Sequence, residues 1–233
     1  MKLYDECFNG IAELLRDYDF VKIPVPAETT VKDVGQNQLI FRNDTAFELG
    51  GGKLPAVSSM ALTDSSELVP GDEIYLCGKD LSALSSDTPF ARIALIRVNE
   101  AEMGDGSRLY NTVRKIEYTR YHINPEGYMI RISPLSHKEA VRIDKKALAK
   151  GLSFSSVGKL FIDAYHKHEQ VEAVKLLFVT AENFPYEKLS EIMERSEKIT
   201  KALDHLMRDV KMDCDTCGLR DVCEEVEQLI TDK

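Results

Sequence analysis

Apolar residues recur at spacings of three and four through residues 4–20, where Phe8, Ile11, Leu14, Leu15 and Tyr18 form one stripe. That period predicts an opening amphipathic helix. The stretch VKIPVPAETTVKDVG loses the period and carries Pro24 and Pro26, so it reads as an extended connector. Short β-favouring runs follow at residues 38–41 (QLIF), 46–49 (AFEL), 55–62 (PAVSSMAL), 72–77 (DEIYLC) and 91–98 (ARIALIRV), separated by Gly, Pro, Asn and Asp. A polar helix with a narrow apolar face, carried by Leu109, Val113 and Ile116, is expected over residues 106–121, and a strand, YMIRI, over 128–132. Asp144 as N-cap and Gly151 bracket a short helix; Ser155 or Ser156 can cap the next, running through VGKLFIDAYHKH. VEAVKLLFVT reads as a long strand. The clearest helix begins near Pro185 and keeps one apolar face through Leu189, Ile192, Met193, Ile199, Leu203, Leu206 and Val210. Strands and helices in this irregular order predict an α+β or α/β fold around a mixed β-sheet with flanking helices.

Charge changes the picture in one respect. The 233 residues carry a net charge of −9, which argues against duplex nucleic acid as a partner, because that binding needs a basic face. Yet residues 91–175 hold fifteen Lys and Arg against ten Asp and Glu, a net +5, leaving −14 for the rest. A basic middle between acidic ends suits an anionic ligand or an acidic partner, and scattered solvated charges would look the same. No apolar run reaches 18 residues, Asp5 and Glu6 sit where a secretory signal would be apolar, and five cysteines are too few for a disulfide framework. The expectation is a cytoplasmic protein with no membrane span.

Three of the five cysteines fall within MDCDTCGLRDVC, where Cys214, Cys217 and Cys223 have C-x2-C-x5-C spacing directly after the long helix. Two thiolates separated by two residues can turn toward one metal, Gly218 eases the turn, and the third can close on the same centre. Zinc and a 4Fe–4S cluster both remain open, since either wants a fourth ligand. Cys77, Asp213, Asp215 or a second chain are the candidates for it; Cys7 reads as a helix-face residue. Gly50, Gly51, Gly52 and Lys53 form a second candidate, a loop whose backbone N–H groups beside a lysine could hold a phosphorylated cofactor. It lacks the spacing of a phosphate loop, and a tight turn or bulge is the favoured reading. His166 and His168, two apart on a helix, read as solvated; Tyr121 and His122 have no nucleophile motif to serve.

Taken in order, AFELGGGKLPAV, VRIDKKALAKGLSFSSVGKLFIDAYHKH, VEAVKLLFVT and the tail cysteines resemble the central part of acetyl-CoA synthase, the β subunit of the CO dehydrogenase/acetyl-CoA synthase complex. The likeness runs over residues 44–226. It implies residues 1–35 as an N-terminal helix and connector, 36–210 as an α/β core, and 211–233 as a Cys-rich metal-binding tail. It further implies that Cys214 and Cys217 match the opening pair of 4Fe–4S ligands and Cys223 the third. The family's nickel-binding Cys-Gly-Cys is not found in these 233 residues. The resemblance therefore leads us to expect a shortened, stand-alone homologue of anaerobic one-carbon metabolism, not catalytic by itself. CO dehydrogenase or corrinoid protein subunits would be its partners and coenzyme A a possible ligand. A non-catalytic interaction module with structural zinc, or a coenzyme A-binding protein without metal, is the alternative.

Overall fold

The structure, a computed structural model, describes residues 2–133, 138–207 and 217–231. Among them are eight strands and seven α-helices in an α+β arrangement. The larger sheet has five strands in the order β1 (Phe20–Ile23), β4 (Glu73–Cys77), β8 (Val171–Val179), β5 (Phe90–Val98) and β3 (Ala56–Thr63). It is mixed: β4 runs parallel to β8 and β3 parallel to β5, while β1 with β4 and β5 with β8 are antiparallel. A smaller antiparallel sheet orders β2 (Ala46–Leu49), β7 (Glu139–Asp144) and β6 (Tyr128–Ile132).

Helices cover both faces of the large sheet, which is why its central strands read as continuous apolar runs. On one face, α1 (Asp5–Asp17) and α6 (Tyr186–Met207) press Ile11, Leu14 and Leu189 against Ile93, Leu177 and Val179. On the other, α5 (Phe154–Tyr165) brings Phe154 onto Phe178 at a ring separation of 4.6 Å, with Phe90 stacked beyond. Gly158 lets α5 approach closely, since a Cβ there would come within 2.5 Å of Ile74 Cδ1 on β4. The remaining helices are α2 (Glu100–Met103), α3 (Gly106–Thr119), α4 (Lys145–Leu148) and α7 (Arg220–Thr231), with α3 and α7 both resting on α6.

Several expectations change. QLIF is not a strand: Leu39 and Phe41 are exposed, and the segment passes β6 with Ile40 N–H directed at Met129 Sδ. The connector instead begins with β1, four residues ended by Pro24 and Pro26, too short to announce itself. β7 hides in a basic stretch because its intermediate positions, Ala140, Arg142 and Asp144, alternate with buried Glu139, Val141 and Ile143. The cap of α5 is Ser153, not Ser155 or Ser156; Ser153 Oγ accepts from Ser156 N–H and Ser156 Oγ from Ser153 N–H, a reciprocal box. Asp144 caps α4 as expected. The described part of the C-terminal segment is the helix α7, with Leu219, Val222 and Val226 buried, and α6 is described to Met207, so Val210 falls outside the described residues. No helix among the described residues is long and apolar enough to cross a membrane.

Candidate functional site

Of the tail cysteines, Cys214 lies outside the described residues, as do Asp213 and Asp215. Cys217 sits three residues ahead of α7 and Cys223 is the fourth residue within it, its N–H donating to Leu219 O at 2.9 Å. Both are thiols outside any disulfide, half-buried against the hydrophobic core. The first turn of α7 is tied to α6 by Lys198–Asp221 at 3.0 Å, and its next turn by Arg195–Glu225 at 2.7 Å. Cys77 is elsewhere, buried in β4 beside Tyr186 at the N-terminal end of α6, roughly 18 Å of helix from Lys198 at 1.5 Å per residue. Cys7 is a buried face residue of α1, its Sγ 3.4 Å from Ile192 O, and burial pushes its thiol up to about 11. Among the described residues no three His, Cys, Asp or Glu side chains converge as a metal group. The donors available to a metal are thus Cys217 and Cys223, brought to one end of one helix, with Cys214 joined to them by sequence. Cys217 and Cys223 are thiol donors of the kind that zinc and iron–sulfur clusters take.

The glycine triplet closes β2 onto the large sheet. Gly50 has φ +66° and its N–H donates to Thr88 O at 2.7 Å; a Cβ there would stand 2.4 Å from that of Ala56. Leu54 N–H donates to Gly51 O at 3.0 Å, a tight turn. The loop's carbonyls face a cation: Lys138 Nζ donates to Gly52 O and Leu54 O, and burial lowers its pKa. Lys53 is exposed. Below the loop, Glu48 is only 2% exposed and its Oε1 accepts from Arg142 Nη2 at 2.6 Å and from Arg131 Nη1, with Arg42 3.7 Å from Oε2. Burial alone would raise this carboxyl; Arg142, then Arg131, more than reverse it and hold it below the usual glutamate range. Gly51 leaves room for this carboxylate, since a Cβ would fall 2.3 Å from Glu48 Oε2.

A third constellation was visible in the sequence only as part of the basic middle. A cleft of about 700 Å³ opens between β3, α3, β7 and α6, with Ser58, Arg120, Tyr121, Glu139 and Met193 among its walls. Arg92 projects from β5 toward α5, 3% exposed, its guanidinium 4.3 Å from the Phe161 ring centroid. Arg92 Nη2 donates to Glu139 Oε1 at 2.5 Å and to Ser58 Oγ at 3.0 Å. Arg120, 8% exposed, donates through Nη1 to Ser58 O at 3.0 Å and through Nη2 to the Tyr121 hydroxyl at 2.6 Å. Burial works against the charge on both guanidiniums. Glu139 outweighs it for Arg92, and Tyr121 with Glu139 and Glu117 for Arg120, so both are held more firmly protonated. Burial also raises the Tyr128 and Tyr165 phenols to about 12, against the pull of Arg92. The sequence signal for this constellation is Arg92, a charge near the start of the apolar run ARIALIRV.

His166 is exposed, as expected, and pairs with Asp72, whereas His168 is half-buried. His166 Nε2 lies 2.9 Å from both Asp72 oxygens, and half-buried His168 lies 2.6 Å from Thr119 Oγ1. No protein-family model matches the chain, and no curated protein matches it.

Proposed function

We propose that this chain is a relative of the acetyl-CoA synthase β subunit that holds an iron–sulfur cluster, or another metal, through Cys214, Cys217 and Cys223. It would serve anaerobic one-carbon metabolism beside CO dehydrogenase or corrinoid protein subunits. The observation that carries the reading is the placement of Cys217 and Cys223 at the start of α7, half-buried and on a helix that two ion pairs lock to α6. When bound, a cluster supplies redox capacity and an iron open to an added ligand. The protein's own part is to hold the thiols: Cys217 and Cys223 stand at the start of α7, against the hydrophobic core that limits water behind them. These 233 residues contain no Cys-Gly-Cys, so carbon–carbon bond formation at nickel is not assigned to them.

Metal and sulfide analysis of protein purified without air, with a visible spectrum, tests this. About four irons with acid-labile sulfide and a coloured, reducible sample are expected for a thiolate-held cluster. One zinc and no colour would convert the reading to a structural zinc module. Neither iron nor zinc would overturn it. Cys223→Ser should abolish the bound metal while leaving α7 helical, since Ser can occupy the same turn.

A further inference from the structure

The cleft between β3, α3, β7 and α6 gathers buried charged groups whose hydrogen-bonding capacity is only partly used among the described residues. Two buried guanidiniums, Arg92 and Arg120, share Ser58, one through its hydroxyl and the other through its carbonyl, and face a single buried carboxylate, Glu139. Glu117 approaches Arg120 only to 3.6 Å. Three donors and an acceptor are left over. Among the described residues, Arg120 Nε and Glu139 Oε2 are buried with no hydrogen-bond partner, and both residues line the cleft. Behind them, Arg92 Nη1 and the Tyr128 hydroxyl lie close together without a well-formed bond. Such groups are rarely left unsatisfied in a folded interior. The mouth adds Arg114, Lys138 and Lys201 against Glu117 and Glu197, so the surplus is positive from floor to rim.

An N–H without an acceptor asks for an anion, and a carboxylate oxygen without a donor asks for an O–H. We propose that this cleft binds an oxyanion that also carries a hydroxyl: either a protonated phosphate group or a 2-hydroxycarboxylate. The oxyanion accepts from Arg120 Nε, and the hydroxyl donates to Glu139 Oε2. A simple carboxylate satisfies the first group but sets its negative charge against Glu139. The site is separate from the tail cysteines and does not depend on the metal reading.

Calorimetric titration of the full chain at constant ionic strength, with inorganic phosphate, glycolate and acetate as probes, decides the matter. Saturable binding of phosphate or glycolate is expected, at least about tenfold tighter than acetate, because acetate leaves a buried acceptor unpaired. Phosphate alone would identify a phosphoryl ligand, glycolate alone a hydroxy acid. Glu139→Gln supplies an amide donor in place of the acceptor, so the preference over acetate should collapse. Arg120→Lys should weaken binding about tenfold or more. Because Arg120 is buried, Ser190→Trp provides a check at an exposed position on the α6 wall of the cleft: binding should be lost with the melting temperature unchanged. No saturable binding by phosphate or glycolate, acetate binding as tightly as glycolate, or full affinity in Ser190→Trp would each overturn the proposal.

Discussion

Glu48 shows what a single buried carboxylate does in this molecule. It stands on β2, joins Arg142 and Arg131, and forces glycine at position 51 by occupying the space a side chain would need. Replacing it by Gln leaves Arg142, which is 11% exposed, without its counter-charge. The expected loss is about 3 kcal/mol, the lower end for breaking a buried pair, because Arg131 and Arg42 still reach water. The direction with pH follows from the depressed carboxyl. Its contribution is complete above the unfolded glutamate value of about 4.3 and disappears as pH falls through the lower folded value. Denaturant melts of the parent should therefore weaken on acidification below that point, and Glu48→Gln should flatten this limb. None of this was legible beforehand. Glu48 is one glutamate in AFELGGG, and although the glycines read as a tight turn, nothing in the sequence shows that the turn passes over a buried charge.

At the scale of elements, periodicity located α1, α3, α6, β5, β6 and β8 because each carries enough residues for its pattern to be sampled more than once. β1 and β7 escaped: the first is four residues long, and in the second Arg142 turns into an ion pair while its neighbours fill the core. α7 escaped because the cysteines drew the reading toward a metal-binding tail, although Leu219, Val222 and Val226 already had helical spacing. The start of α5 is set by the Ser153–Ser156 box and by Asp80, whose Oδ1 accepts from both Leu81 N–H and Phe154 N–H at 2.7 and 2.8 Å. Ser153→Ala should cost about 1 kcal/mol, readable as a lower melting temperature with the far-ultraviolet dichroism little changed. A sequence cannot distinguish Ser153 from Ser155 or Ser156 as the cap, since all three can accept from a nearby N–H. Tertiary contacts choose: Ser155 Oγ donates to Pro24 O at 2.6 Å and is thereby committed elsewhere.

Among the described residues, an ion pair joins the two sheets. Arg92 belongs to β5 and Glu139 to β7, and neither has water to replace its partner. Arg92→Met or Glu139→Met alone should each destabilise by about 3–5 kcal/mol, while the double replacement by apolar residues should recover most of that loss, which a double-mutant cycle measures. The cleft beside this pair could not be read from the chain, since Ser58, Arg92, Arg120 and Glu139 are brought together only by the fold, over sequence separations of up to 81 residues. The placement of Arg120 has one more outcome. β3 ends the large sheet, and its outward carbonyls at Ser58 and Met60 are already taken, by the Arg120 guanidinium and the Ser196 hydroxyl. Side chains thus occupy the row where another molecule's backbone would dock, so the sheet stops growing at this border. At the far border Lys22, Pro24 and Pro26 impose the same halt on β1. Self-association into fibrils is discouraged at both margins, and on the β3 side by the guanidinium that also lines the cleft.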